Sequence, residues 1–191
     1  MIKYSLILLG IVTHLAYADA SAPANNTVNP ELRLLLQNAI DDSSTFEDKF
    51  AAEVWYTDMS ARLSTYVKDP QERLEILKTV HQEASRAQLA PELVLAVMHV
   101  ESLFDKYAIS RVGARGLMQV MPFWLKELNK PNANLFDIQT NLRMGCTILK
   151  YYLDKENGNL FRGLGRYNGS LGKRKYPDKV IAALNNKWFR Q

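Results

Sequence analysis

Apolar residues recur at helical spacing along most of the chain beyond residue 30. Leu74, Leu77 and His81 follow one another at steps of three and four residues, which place them on one face of a helix. No segment shows a convincing two-residue alternation of apolar and polar positions that would indicate a strand. The pattern therefore predicts an all-α protein. A loop without a helical stripe covers residues 104–116, where a small hairpin would fit.

Prolines and short polar side chains predict where several helices begin. Asp69 directly precedes Pro70, and Asp137 directly precedes another apolar stripe. An acceptor side chain before the first turn and a proline inside it are common at helix starts. We expect further starts at Pro91 and Pro122. On the stripe that follows Pro70, His81 fits a core histidine better than a catalytic one.

Two parts of the chain give less regular helical patterns. Before Pro70, two neighbouring stripes run through Phe50 and Val54 and through Met59 and Leu63, which predicts a helix buried over a wide arc. Near the C-terminus, residues 160–164 fit a short helix interrupted by glycines. Residues 166–170 fit a turn that breaks the helix. A final helix is expected after Pro177.

The first residues have the features of an export signal. A positive Lys3 precedes an apolar run over residues 5–16, and Ala16-Tyr17-Ala18 fits the small-x-small cleavage rule. The run is shorter than the ~20 residues that span a bilayer. We therefore expect a signal peptide over residues 1–18 and a polar linker over 19–29. The expected product is a periplasmic protein without a stable membrane anchor.

Composition excludes several classes of function. The single cysteine, Cys146, rules out an internal disulfide and a cysteine-based zinc site. The three histidines share no metal-ligand spacing, and no glycine-rich phosphate loop is present, so neither a metal nor a nucleotide cofactor is expected. The net charge is +4, or +3 once Lys3 is removed with the signal. Basic residues are scattered apart from Lys173-Arg174-Lys175, which indicates a solvated face rather than a nucleic-acid site.

Glu101 is the acidic residue that departs from its local pattern. It lies on the apolar face defined by Val94, Val97 and Met98, close to the end of its helix. Burial and the negative end of the helix dipole both raise the pKa of a carboxyl group, as a general acid requires. The alternative is a boundary glutamate whose side chain reaches solvent. An arginine from the following loop that turned toward Glu101 would lower its pKa again.

Two later segments carry further polar chemistry. Gly116-Leu117-Met118-Gln119 sets one amide in an apolar run beside a flexible glycine, and an amide can donate to and accept from sugar hydroxyls. Tyr167-Asn168 places a phenol in a turn. With Glu101-Ser102, and with Asn141-Leu142-x-x-Gly145 as a fourth segment, this order resembles the signature of the soluble lytic transglycosylases.

The resemblance covers roughly residues 85–175 and includes the eighteen-residue step from Glu101 to Gln119. It implies a lysozyme-like, goose-type helical domain over residues 85–191, with additional N-terminal helices over residues 30–84. It also implies that Glu101 is the catalytic acid and base. Five further positions match residues that bind the substrate: Ser110, Met118, Gln119, Tyr167 and Asn168.

The resemblance also implies particular contacts and two departures. Ser110 matches a serine on the acetamido group of the substrate, and Tyr167 matches a tyrosine hydrogen-bonded to the catalytic glutamate. Ile148 stands where the family often has a tyrosine. Arg166 stands where it often has an alanine, and there it either changes the charge of the cleft or points outward.

The carboxylates near Glu101 bear on the reaction. No Asp or Glu occurs over residues 106–126, and Asp105 lies one turn beyond Glu101 with an unknown direction. Most glycoside hydrolases need two carboxylates. The resemblance implies cleavage of peptidoglycan between N-acetylmuramic acid and N-acetylglucosamine by one acid, without a cofactor, to give a 1,6-anhydromuramyl end. The alternatives are a lysozyme-like or chitinase-like hydrolase and a non-catalytic wall-binding or assembly module.

Overall fold

The computed structural model describes residues 49–127 and 130–189. Within these ranges it contains seven α-helices and one π-helical turn. They are α1 (Lys49–Leu63), α2 (Pro70–Arg86), α3 (Pro91–Ser102), α4 (Phe123–Glu127), α5 (Ile138–Lys155), α6 (Leu160–Tyr167), α7 (Lys175–Ala183) and the π-helical turn Leu184–Trp188. Extended pairing in the described part is limited to two isolated antiparallel bridges, Ile109–Arg115 and Arg115–Val120. The all-α prediction is confirmed for these residues.

The predicted signal peptide over residues 1–18, the linker over 19–29 and the first part of the 30–84 segment lie outside the described residues. In the part that is described, no helix combines the length and hydropathy needed to cross a membrane.

Three helix starts are fixed by side-chain caps. The carboxylate of Asp69 accepts a hydrogen bond from the backbone N–H of Gln71 at 3.0 Å, and Asp137 accepts one from Thr140 at 2.8 Å. Asn159 caps α6 in the same way. Each cap satisfies a backbone donor that the first turn of a helix leaves without a partner. The predicted starts of α2 and α5 are confirmed.

Helix α6 continues through both of its glycines. A Cβ atom on Gly163 would lie 2.6 Å from Cδ2 of Leu153 on α5, so the missing side chain allows the two helices to approach closely. The prediction that the helix ends at Leu164 was therefore wrong, because the glycines serve packing rather than a turn. Helix α7 begins at Lys175 rather than after Pro177, which lies inside its first turn.

Only one of the two apolar stripes of α1 is buried. Met59 and Leu63 are fully buried, whereas Phe50 and Val54 are 75% and 36% exposed. The prediction of burial over a wide arc was wrong. The buried stripe packs toward α2, where the ring of His81 lies 5.1 Å from that of Trp55. Burial lowers the pKa of His81 to about 4, as expected of a neutral core histidine.

One hydrophobic core joins these elements. Helix α5 packs against α2 and α6, while α3 packs against α2, α7 and the π-helical turn. The buried side chains form a single cluster from Ala52 on α1 to Trp188 in the π-helical turn. This arrangement brings the C-terminal end of α3 next to the start of α7 and the end of α6.

Candidate active site

Glu101 lies in the last turn of α3, which ends at Ser102. The next two residues, Leu103 and Phe104, adopt left-handed backbone angles with φ of 51° and 67°, so the chain turns sharply away from the helix. The hydroxyl of Ser102 donates to the carbonyl of Leu117 at 2.8 Å. The carboxylate-bearing turn is thereby fastened to the loop that follows it.

The carboxyl group of Glu101 has one side-chain hydrogen bond in the described part of the chain. The hydroxyl of Tyr176 on α7 donates to its Oε1 at 2.6 Å. Burial raises the pKa of Glu101 to about 7, and the hydrogen bond from Tyr176 opposes part of this rise. The predicted upward shift is confirmed. Arg111 and Arg115 are exposed, and Arg115 lies over the ring of Phe136.

Glu83 shows that burial alone does not leave a carboxyl group with a raised pKa. It is fully buried between α2 and α5, yet it accepts hydrogen bonds from Arg86, Arg143 and Gln139. Burial would raise the pKa of Glu83, but the hydrogen bonds from Arg143 and Arg86 outweigh burial and lower it. Glu83 therefore stays ionised, whereas Glu101 can hold a proton near neutral pH.

Glu101 lines an open pocket of about 320 Å³. The other lining residues come from α3, the end of α6, the segment that follows it and α7 itself: Val100, Asn168, Ser170, Lys173, Lys175, Tyr176 and Lys179. Among the described residues that line this pocket, Glu101 is the acid. Asp105 is exposed and lines a different pocket, where its carboxylate accepts from the N–H of Tyr107 at 2.9 Å.

A buried asparagine holds the loop that follows Glu101. The side chain of Asn141 on α5 accepts from the N–H of Met118 at 2.8 Å and donates to the carbonyls of Arg115 and Leu135 at 2.9 and 2.8 Å. Gly116 lies against this amide, because a Cβ there would be 2.4 Å from Nδ2 of Asn141. Two of the signature segments are thus in direct contact.

Met118 and Gln119 serve the structure of this loop. The side chain of Met118 is fully buried against Cys146 and Gly145, so it does not line a cleft as the sequence led us to expect. The amide Nε2 of Gln119 donates to the carbonyls of Ala108 and Gly116 at 3.1 and 3.0 Å. Its donor end therefore bonds within the protein.

The remaining predicted residues divide between the pocket and its surroundings. Asn168 caps the C-terminal end of α6 and lines the pocket. Ser110 accepts a hydrogen bond from the N–H of Ala114 at 3.0 Å and lies outside the lining of the pocket. The structure thus brings Asn168, but not Ser110, to the pocket of Glu101.

Tyr167 does not make the expected hydrogen bond to Glu101. Its hydroxyl donates instead to the carbonyl of Met118 at 2.7 Å, and Tyr176 takes the place beside the carboxylate. This corrects the sequence-based assignment. Tyr176 was missed because it lies 75 positions from Glu101, and the signals around it were only a basic run and a proline.

The two departures from the family pattern lie away from the carboxylate. Arg166 and Arg162 both pair with Glu156, a buried residue at the C-terminal end of α5, so Arg166 joins α6 to α5. Ile148 is buried in the core. Arg166 does not line the pocket of Glu101, and its guanidinium group is engaged by the buried carboxylate of Glu156.

Comparisons with known proteins agree with the sequence pattern. The family described as "Transglycosylase SLT domain" matches residues 78–188. The chain is 32% identical over 119 residues to a transglycosylase of Enterobacteria phage PRD1, covering 59% of this chain and 44% of that protein. It is 33% identical over 112 residues to the membrane-bound lytic murein transglycosylase C of Yersinia pestis (strain Pestoides F), covering 50% of this chain and 31% of the relative.

A solved structure of the lytic transglycosylase Slt from Pseudomonas aeruginosa, an inactive mutant, aligns with 82% of this chain and 34% of its own. That alignment has 21% identity and a TM-score of 0.46. The chain therefore spans less than half the length of each of these proteins. The family match, however, covers more than half of the 191 residues, and the chain belongs to the family of transglycosylase SLT domains.

Proposed function

We propose that this protein is an exported peptidoglycan lytic transglycosylase. It cleaves the bond between N-acetylmuramic acid and N-acetylglucosamine and leaves a 1,6-anhydromuramyl end. One observation carries the proposal. Glu101, with its pKa raised to about 7, lines a pocket in which no other described residue is an acid. A single carboxyl group that both gives and takes a proton near neutral pH suits this reaction.

The reaction proceeds in two proton transfers through Glu101. The protonated carboxyl first gives its proton to the glycosidic oxygen as the bond to C1 breaks, and the acetamido oxygen of the substrate stabilises C1. The carboxylate then takes the proton of the C6 hydroxyl as O6 bonds to C1. No water is consumed. Tyr176 orients the carboxyl group through its 2.6 Å hydrogen bond.

The roles of the other site residues belong to the same proposal. Asn168 lines the pocket and is placed to contact a sugar there. Ser110 and Gln119 are assigned by the resemblance to acetamido and cleft contacts. Tyr167 supports the site by donating a hydrogen bond from its hydroxyl to the backbone carbonyl of Met118.

Export rests on the sequence of the first residues. The positive Lys3, the short apolar run and Ala16-Tyr17-Ala18 support cleavage before Asp19 and release into the periplasm. The domain plan that accompanies it has a signal over 1–18, a linker over 19–29, helices over 30–84 and the catalytic domain over 85–191. N-terminal sequencing of protein from the periplasm tests the cleavage site.

The products decide between the proposed reaction and its alternatives. Purified wall sacculi are digested with wild type, Glu101→Gln and Glu75→Gln, a control at an exposed acid on α2, and the fragments are weighed by mass spectrometry. Wild type and the control should release fragments with anhydro ends, which are lighter by one water than hydrolysis products. Glu101→Gln should fold normally by circular dichroism and lose about 10²-fold or more of the rate.

The other outcomes would contradict the proposal. Fragments dominated by reducing ends would identify a hydrolase that uses water. No release by folded wild type would favour a non-catalytic wall-binding module. Full activity in folded Glu101→Gln would remove this residue from the mechanism.

A further inference from the structure

Three lysines share the pocket with Glu101. Lys173 lies in the segment before α7, and Lys175 and Lys179 lie one turn apart on α7 itself. All three are exposed, and none forms an ion pair within the described part of the chain. The adjacent acid, Asp178, is paired with Arg174 at 3.3 Å. The cluster of Lys173, Lys175 and Lys179, called here the lysine rim, therefore has no acidic partner of its own.

The lysine rim does not serve to ionise Glu101. The pKa of Glu101 stays raised to about 7, with burial as its first cause and the bond from Tyr176 opposing it. With Glu101 in its acid form, the pocket holds three positive charges and no negative one among its lining residues. A concave surface lined by charges of one sign concentrates ligands of the opposite sign.

We infer that the lysine rim binds a carboxylate carried by the glycan strand beside the bond that Glu101 cleaves. This inference rests on the proposed function and assigns to these three lysines the recognition of the anionic groups that distinguish a muramyl-containing strand from a neutral N-acetylglucosamine chain. A muramic acid residue carries a lactyl group that ends either in a free carboxylate or in a peptide with its own carboxylates. Lysine suits both sources, because its ammonium group is a point charge on a flexible stem.

Binding is measured without cleavage, in the Glu101→Gln background. Three probes are titrated: peptide-bearing glycan strands, strands stripped by an amidase so that only the lactyl carboxylate remains, and neutral N-acetylglucosamine oligomers. Replacing Lys173, Lys175 and Lys179 together by Gln should raise the Kd of an anionic probe about tenfold. The Kd of the neutral probe should stay unchanged. High salt should reduce the difference between the two proteins.

A matched charge change controls for net charge. The control carries Gln at three exposed lysines that do not line the pocket: Lys126, Lys155 and Lys187. It should bind all three probes as the parent does. Circular dichroism checks the fold of both triple variants, and single Lys→Gln variants of the rim give the same test if the triple variant unfolds.

The arms of the experiment separate the two carboxylate sources. Weaker binding of stripped strands alone assigns the lactyl carboxylate, and weaker binding of peptide-bearing strands alone assigns the carboxylates of the stem peptide. Weaker binding of both shows that the lysine rim accepts either carboxylate. Unchanged Kd values for both anionic probes, or an equal loss for the neutral probe, would overturn the inference. Failure of the proposed function would show separately, as wild type that releases no anhydro fragments.

Discussion

A single carboxyl group carries the proposed chemistry because two local influences oppose each other. Burial at the end of α3 favours the neutral form of Glu101, while the hydroxyl of Tyr176 stabilises the ionised form. Their balance leaves the pKa at about 7, so both forms are populated near neutral pH. An acid that must later act as a base is most effective when its pKa lies close to the working pH.

Tyr176→Phe should move the alkaline limb of activity to higher pH. In the proposed reaction, activity requires protonated Glu101 and is lost as the pH rises through its pKa. The hydrogen bond from Tyr176 lowers that pKa, so its removal raises the pKa and shifts the limb upward. The rate at the optimum should fall about tenfold, as expected for one lost hydrogen bond of about 1.4 kcal/mol. The measurement is kcat/KM on sacculi across pH.

Tyr167→Phe is the matched control for this change. The hydroxyl of Tyr167 donates to the carbonyl of Met118 rather than to Glu101, so its loss should leave the alkaline limb in place. A limb that stays or moves down in Tyr176→Phe would show that the phenol does not set the pKa of Glu101. A shift of the alkaline limb in Tyr167→Phe alone would instead show that Tyr167, not Tyr176, lowers the pKa of Glu101.

At the scale of elements, the loop after Glu101 is built against α5. Asn141 satisfies one N–H and two carbonyls of residues 115–135, and Gly116 and Gly145 leave room for the contact. The Gly116 and Asn141 segments of the sequence signature therefore pack directly against each other. This contact holds the loop whose Leu117 carbonyl accepts a hydrogen bond from Ser102, the residue next to Glu101.

Asn141→Ala should lower the free energy of unfolding by about 3 kcal/mol. The change leaves the N–H of Met118 and the carbonyls of Arg115 and Leu135 without their side-chain partner, and each buried unsatisfied group costs about 1 kcal/mol or more. Urea denaturation measures the loss, and hydrogen exchange at the N–H of Met118 should become faster. Asn132→Ala, at an exposed position in the same region, should change neither quantity. Equal effects of the two changes would contradict the claim that the side chain of Asn141 stabilises this loop.

Local signals predicted the ends of several elements, whereas close packing was not readable from the sequence. The caps at Asp69 and Asp137 act within a few residues, and both predicted helix starts are confirmed. Gly163 resembles a helix breaker in sequence, but its function depends on Leu153 of a neighbouring helix. A glycine that breaks a helix and one that lets two helices approach look alike until the partner is known.

The same distinction applies to the site. Glu101 was singled out as a candidate from its own helix, because the periodicity of Val94, Val97 and Met98 placed a carboxyl group on an apolar face, and the family resemblance then assigned it the catalytic role. The partner of Glu101 was not identified, because the hydroxyl that reaches it comes from Tyr176 on a distant part of the chain. Sequence spacing predicts which side chains one helix places on the same face. Contacts between side chains of distant elements can be read only from the fold.

At the scale of the whole molecule, α1 belongs to the same core as the helices around Glu101, although the family match begins only at residue 78. The indole N–H of Trp55 donates to Glu92 on α3 at 2.8 Å. The guanidinium group of Arg62 donates to the carbonyls of Lys187 and Phe189 at 2.9 and 3.1 Å. Helix α1 is thus tied both to the helix that carries Glu101 and to the end of the described chain.

These ties lead us to expect one cooperative unit rather than a domain with a separate N-terminal appendage. Met59 is fully buried on α1, so Met59→Ala should lower the free energy of unfolding by about 2–5 kcal/mol. Leu142→Ala, in the core of α5, should cost a similar amount. Val54→Ala, on the more exposed face of α1, should cost about 0.5 kcal/mol or less.

Urea denaturation followed by tryptophan fluorescence and by circular dichroism tests this expectation. Trp55 reports on α1 and Trp188 on the other end of the described chain, so two independent units would give two transitions. In one cooperative unit the curves coincide, and Met59→Ala shifts both to lower urea without separating them. A transition of α1 that precedes loss of the remaining helices, or a Met59→Ala variant as stable as wild type, would show that α1 folds apart from the helices around Glu101. If both unfolding curves shift together, the packing that stabilises the region around Glu101 extends beyond the residues of the family match.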